Sequence, residues 1–246
     1  MTARRRAAPA AKPGDRSKAG RVPPRRVAGS AVRTASSLRA KAQASGGSTA
    51  GMQLYTADGT RKYVAAGERE AFLAAAERGD RQVRTLCMTL AYAGCRLSEA
   101  LALTVDRVDL AAGVLVFASL KKRQPGVFRA VPVPPTLLEA LNLVHGIREL
   151  QARRGKGRGE RLWPWSRMTG WRAVHGVMEG AGLEGPQASP KGLRHGFGVA
   201  AVSAGIPLNL VQKWLGHAQL TTTAIYADAV GAEEKDIAKR MWGDLT

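Results

Sequence analysis

Cysteine is scarce in this chain: Cys87 and Cys95 are the only two among 246 residues. Two cysteines make neither a disulfide framework nor a cysteine-built metal cluster. Both fall in an apolar helical stretch, so they read as buried free thiols, which fits a reducing cytoplasm. Long apolar runs are missing as well. No stretch reaches the roughly 18 consecutive apolar residues of a membrane-spanning helix, and no apolar segment follows the N-terminus as in a secretory leader. The Arg-rich, acid-poor start is superficially like an organellar transit peptide, but its prolines interrupt any amphipathic helix. Acidic residues are the third shortage. Against 38 Lys and Arg stand 19 Asp and Glu, for a net charge of +19 and a pI near 11.0. So basic a chain calls for a polyanionic partner, and nucleic acid is the commonest one.

The charge is unevenly spread. Residues 1–50 hold 12 Lys and Arg and one acid, Asp15, while the remainder holds 26 basic and 18 acidic residues. Residues 1–50 are also Ala, Arg, Pro, Gly and Ser with almost no large apolar side chains, too little to offset the entropy of ordering. They are expected to form a disordered basic arm. Such an arm either lies along DNA phosphates, gaining affinity by counterion release, or is a solvated tail with no dedicated role. Residues 51–66 read as a linker, and 67–246 as one folded domain. An apolar fraction of 45% is ordinary for a globular protein.

Within that domain, Glu68 to Arg78 reads as a helix with Phe72 and Leu73 inward, and Arg81 to Ala93 as a second with Val83, Leu86, Cys87 and Leu90 on one face. Gly94 interrupts it, and Arg96 to Leu103 forms a short third helix with Arg96 at its start. Arg107 to Leu110, Val114 to Leu120 and Val127 to Val133 are β-branched-rich runs, expected as a three-stranded antiparallel meander with Lys121 to Gly126 at the tip of its second hairpin. Helices are then expected from Pro134 or Pro135 to Gln151, from Arg167 to Ala181 with Ser166 as cap, and from Lys191 to Ala204. A short one follows from Pro207 to Leu215, ended by Gly216; then Thr221 to Ala229, carrying Tyr226; then Glu233 to Met241. Residues 151–161 form a Gly/Lys/Arg loop, and no internal repeat is visible. The fold class is α+β, mainly helical, with a small three-stranded antiparallel sheet packed on a helical bundle.

One set of residues carries chemistry. Lys191 and Arg194 lie three apart, His217 follows Arg194 by 23 residues, Tyr226 follows His217 by nine, and Arg96 stands far upstream. Cleaving a phosphodiester without a metal requires neutralising its oxygens, protonating the leaving alkoxide and supplying a nucleophile. Arg suits the first task because its planar fork binds two phosphate oxygens and stays charged. A His donor adds to the stabilisation of developing charge. Lys serves as general acid when nearby Arg residues lower its pKa. Tyr attacks as a phenolate and conserves the bond energy in a covalent 3′-phosphotyrosyl, so no ATP, metal or other cofactor is called for.

These residues match a family pattern. Gly94-Cys95-Arg96-Leu97-Ser98-Glu99, Leu193-Arg194-His195-Gly196-Phe197, Leu215-Gly216-His217 and Tyr226 together resemble the boxes of the tyrosine recombinases, the phage integrase family, over roughly residues 67–236. The resemblance implies that Arg96 and Arg194 clamp the scissile phosphate, that Lys121 or its neighbour Lys122 is the general acid, that His217 donates to a non-bridging oxygen, and that Tyr226 is the nucleophile. Lys121 is preferred because it is nearer the end of its strand. Glu99 is implied to buttress the Arg96 helix. Two departures stand out. The second box usually begins with His, and here Lys191 holds that place; protonated lysine cannot accept the tyrosine proton. His195 is not expected to replace it, because adjacent helical residues point in different directions; it reads as a hydrogen-bonded packing residue. His145 and His175 read as structural, without partners. The family's usual N-terminal DNA-clamping domain is largely absent from residues 1–66.

The expected activity is therefore site-specific cleavage and rejoining of double-stranded DNA, by a homo-tetramer on paired DNA sites in the cytoplasm, with no membrane partner. The Glu233–Met241 helix is a candidate for docking on a neighbouring subunit, and an accessory DNA-binding protein is a candidate to complete the clamp. The alternatives are a non-catalytic DNA-binding relative and a monomeric topoisomerase using the same chemistry without site preference.

Overall fold

A computed structural model describes residues 53–118, 126–153, 157, 159–228 and 239. The basic arm, the hairpin tip that includes Lys121 and Lys122, and the helix expected from Glu233 to Met241 lie outside the described residues, Lys239 excepted.

Helix α1 (Ala66–Glu77) begins where the Glu68 carboxylate accepts from the Ala65 N–H. Asp80 caps α2 (Arg81–Ala93), accepting from the N–H groups of Gln82 and Val83. Eight residues of α2 are buried, Leu86, Cys87 and Leu90 among them, because this helix lies at the centre, in contact with α1, α4 (Pro135–His145), α6 (Arg167–Gly180) and α7 (Pro190–Ser203). Gly94 ends α2 in the left-handed region at φ +57, and Arg96 is the N-cap of the short α3 (Leu97–Leu101).

The meander forms as expected. Strands β1 (Val108–Asp109), β2 (Val114–Ala118) and β3 (Phe128–Pro132) pair antiparallel in the order β1-β2-β3. The register sets Leu115 opposite Val108 and Val131, and Phe117 opposite Arg129. Period two sends Leu115, Phe117, Val131 and Arg129 to the same buried face. The sheet rests on α3 through β2 and on α8 (Leu208–Leu215) through β3.

Two expectations change. The helix expected from Pro134 or Pro135 to Gln151 is divided by Gly146 at φ +61 into α4 and α5 (Ile147–Ala152). Ile147 is fully buried just after the break, so turning the chain there inserts a side chain that a straight helix would aim elsewhere. Tyr226 lies on a 3-10 turn (Ile225–Asp228) that follows the single-turn α9 (Thr221–Ala224), not within a longer α-helix.

The large core gathers α1–α4, α6, the sheet and Trp163, whose indole N–H donates to the Gln82 carbonyl. A smaller core collects Leu54, Tyr63, Val199, Ala201, Val211, Leu215 and Tyr226. The segment read as a linker thus contributes buried Leu54, Tyr63 and Val64. Cys87 and Cys95 are free and buried, and burial pushes both thiols up to about 12. No helix among the described residues is long and apolar enough to cross a membrane.

Candidate functional site

Four separate elements bring their charged or polar residues to one place. Arg96 stands at the start of α3 and donates through Nη1 to Glu99 Oε1 at 2.8 Å, while its backbone N–H donates to Glu99 Oε2 at 2.8 Å. Its side chain remains 28% exposed. Arg194, on α7, is buried; Nη1 donates to the Gly94 carbonyl at 2.8 Å and Nη2 to the Leu215 carbonyl at 2.7 Å. Those two carbonyls end α2 and α8, so one guanidinium ties together the caps that precede Arg96 and His217.

His217 follows the left-handed Gly216 cap of α8, and its N–H donates to the Gln212 carbonyl. Its Nδ1 lies 2.9 Å from the Thr223 hydroxyl, and its buried Nε2 makes no hydrogen bond among the described residues. The imidazole stacks on the Tyr226 ring with centroids 6.2 Å apart and 16° between planes. Tyr226 is 1% exposed. Its ring packs over Gly198 of α7, where a Cβ would stand 2.5 Å from Cζ. Glycine there makes room for the hydroxyl-bearing end of the ring.

Electrostatics tie the cluster together. Burial pulls Arg194 down to about 10, helped by the nearby Arg96 charge and opposed by Glu99 and Tyr226; it stays a cation at neutral pH. Burial, then Arg194 and Arg96, hold His217 down at about 3, so the imidazole is neutral. Burial raises the Tyr226 phenol to about 12 while Arg194 and Arg96 pull against it.

Three contributors were not read from the sequence as members of the site. Arg129, inward on β3, donates through Nη2 to Glu99 Oε2 at 2.6 Å and through Nη1 to Oε1 at 3.3 Å, and its Nε donates to the Trp214 carbonyl at 2.7 Å. It also lies against Gly216, where a Cβ would be 3.1 Å from Nη1. Burial opposes ionisation of Glu99, but hydrogen bonds and charge from Arg129, then Arg96, outweigh it and hold the carboxyl below its usual range. Thr223 is fully buried against His217. His195 is hydrogen-bonded and buried, as expected, but its partner is Tyr226: Nδ1 lies 3.2 Å from the phenol oxygen. Lys191 is exposed one turn earlier on the same helix, and its charge is felt by His195. Lys121 and Lys122 lie outside the described residues. His145 and His175 do have partners: His145 Nε2 lies 3.1 Å from the Thr85 hydroxyl, and His175 Nδ1 lies 3.2 Å from a Glu179 oxygen.

Beside His217 opens a cavity of about 370 Å³, lined by Phe128, Arg129, Gln212, Lys213 and Gly216 among others.

Residues 62–232 match the model of the phage integrase family. The chain belongs to that family. It is similar to the tyrosine recombinase XerD of Mycobacterium leprae, 36% identical over an alignment of 156 residues, with 58% of this chain and 46% of that protein covered. The XerD of Pseudomonas aeruginosa is 32% identical over an alignment of 191 residues, with 73% of this chain and 61% of that one covered. The chain spans about half the length of several relatives it matches. Among solved structures, the XerA recombinase superposes with a TM-score of 0.62 at 23% identity, covering 74% of this chain and 65% of the other. The XerH site-specific recombinase bound to palindromic difH substrate, a post-cleavage complex, gives 0.60 at 23%, covering 80% and 56%. These likenesses show the fold: a tyrosine-recombinase catalytic fold, mainly helical with a three-stranded antiparallel sheet.

Proposed function

We propose that this chain cleaves and rejoins strands of double-stranded DNA at specific sites through a covalent 3′-phosphotyrosyl intermediate. The observation that carries the reading is the meeting of Tyr226, His217, Arg194 and Arg96 from four separate elements, with Tyr226 feeling both arginine charges. In this reading Arg96 and Arg194 hold the scissile phosphate. His217 donates from Nε2, the nitrogen without an internal partner, to a non-bridging oxygen. Tyr226 attacks phosphorus, and Lys121 or Lys122 protonates the departing 5′ oxygen. Lys191 adds a cation beside the phosphate. The chemistry needs no metal or ATP, since the phosphotyrosyl bond stores the energy for rejoining.

The partner is a duplex, and the assembly is a homo-tetramer on two paired sites in the cytoplasm. Residues 1–50 serve as a phosphate-binding arm beside the catalytic residues 67–246, and an accessory DNA-binding protein is the other candidate to add grip on the duplex. The recombinases whose complexes carry the same fold support a DNA partner.

The test is covalent capture. The full chain is incubated with a library of nicked duplexes randomised across the nick, then denatured, and DNA that remains attached is counted. Wild type is expected to retain DNA and Tyr226→Phe to retain none. If neither retains any while both bind duplex, the chain is a non-catalytic DNA-binding relative; the burial of Tyr226 is the observation that favours that second reading. Relaxation of any supercoiled plasmid without exchange between sites would mark a topoisomerase.

A further inference from the structure

Tyrosine attack requires that the phenol lose its proton, and Lys191 occupies the position from which an imidazole would be expected to take it. A protonated lysine has no lone pair to offer. In the DNA-free chain little solvent reaches the phenol, because Tyr226 is 1% exposed and its hydroxyl end is seated over Gly198. The Tyr226 phenol oxygen lies within hydrogen-bond distance of His195 Nδ1, at 3.2 Å. His217 approaches the same ring from its face, and its Nδ1 is committed to Thr223.

The helix explains how His195 comes to be there. Residues 191 and 195 are one turn apart on the same face of α7, and 195 and 198 are three apart, again on that face. The Tyr226 ring lies along this strip, with its hydroxyl end over Gly198 and its oxygen at His195. Arg194 does point elsewhere, to the Gly94 and Leu215 carbonyls, so the rule that adjacent helical residues diverge holds. It does not exclude His195 from the site, because Tyr226 arrives from another element and meets the second direction.

We propose that His195 takes the phenolic proton as Tyr226 attacks, one helical turn from the position where Lys191 stands. This rests on the recombinase reading given above. The Tyr226 Oη–H bond breaks and a bond from His195 Nδ1 to that proton forms. The electron pair left on Oη makes the bond to phosphorus, the bond from phosphorus to the 5′ oxygen breaks, and that oxygen receives its proton from the hairpin lysine. Rejoining runs the same transfers backwards, with imidazolium returning the proton to Tyr226. The role requires the neutral tautomer with its hydrogen on Nε2, a buried nitrogen with no hydrogen-bond partner among the described residues.

The surroundings keep the imidazole neutral and ready to accept. Burial, followed by the charges of Lys191 and Arg194 on its own helix and Lys62 from the preceding segment, holds it down at about 4; His217 and Tyr226 face it from the other side. With a base this weak and a phenol near 12, transfer is concerted with attack, when bonding to phosphorus acidifies the phenol.

The test compares wild type, Tyr226→Phe, His195→Asn and His195→Ala on duplexes recovered by covalent capture with wild type. Single-turnover adduct formation is followed at saturating DNA across pH. Wild type is expected to be pH-independent from pH 6 to 9. Both His195 variants are expected to bind DNA unchanged and form adduct at least about a hundredfold more slowly, with a rate that climbs with pH, and added imidazole should restore much of the Ala variant's rate. The inference is overturned if His195→Asn cleaves within a fewfold of wild type. Slow variants with a flat pH profile and no imidazole rescue also overturn it, as does a variant faster than wild type, which would make the contact a restraint on Tyr226. Failure of wild type to form any adduct sinks the recombinase reading instead, so the two outcomes are distinguishable.

Discussion

Glu99 joins two arginines of the candidate site. It is buried and accepts from Arg96 on one side and Arg129 on the other. Removing one partner of such a buried pair leaves a charge uncompensated, which typically costs about 3–5 kcal/mol. Glu99→Gln is therefore expected to lower stability by roughly that amount at neutral pH, read by denaturant unfolding. The sign with pH follows from the lowered folded pKa. Wild type keeps the contribution above the ordinary carboxylate value and loses it as pH falls through the lower folded value, so the gap between the two proteins closes in acid. Thr223 acts on a neighbouring atom. For His217 Nε2 to carry a hydrogen towards a phosphate, the Thr223 hydroxyl must donate to Nδ1. Thr223→Val keeps the shape, frees the tautomer, and is expected to slow adduct formation about tenfold or more with little loss of DNA binding. Arg96, Arg194, His217 and Tyr226 were legible as a set because their order and spacing coincide with a known pattern. Arg129 was not, although it shares the inward period of β3 with Val131 and an Arg at such a position signals a buried carboxylate partner.

Helix α7 is the element that holds the site, and its glycines are the reason it can. A Cβ at Gly196 would stand 2.2 Å from the Val64 carbonyl, and one at Gly198 would stand 2.5 Å from the Tyr226 ring. Gly198→Ala should displace the ring from His195, costing about 1–3 kcal/mol as an overpacked contact and slowing adduct formation more than DNA binding. Some element ends were readable from cap chemistry: Ser166 accepts at a helix start, and Gly94 and Gly216 close helices in the left-handed region; Asp80 and Ser189 accept at two further starts that only the structure shows as caps. Two were not. The break at Gly146, inside the helix expected from Pro134 or Pro135 to Gln151, goes with the burial of Ile147 just beyond it, which no local signal marks. The tightening of the Tyr226 segment into a 3-10 turn comes from packing on α7, which no local preference encodes.

At the scale of the molecule, buried neutral histidines make stability depend on pH. His145 is held down at about 4 by burial, and His195 and His217 lie at about 4 and 3, against 6.5 for an unfolded histidine. Unfolding therefore takes up protons below pH 6.5, and stability falls as pH drops from there towards 4. Melting temperature should decline between pH 7 and 5, and His145→Gln, which does not titrate, should show a shallower decline. Charge acts at the same scale. The 12 basic residues of the first 50 are expected to steepen the fall of DNA affinity with salt, and deleting them should flatten it; an unchanged slope would remove the arm from the binding surface. Neither composition nor the domain fold could reveal the proton route, because it joins residues 31 apart on two elements whose packing alone sets the 3.2 Å contact. The recombinase reading is tested most directly by digesting the captured protein–DNA adduct and locating the nucleotide by mass spectrometry. The expected result is a 3′-phosphonucleotide on the peptide that contains Tyr226, absent from Tyr226→Phe; a nucleotide on any other residue, or no adduct from wild type on duplex it binds, would contradict it.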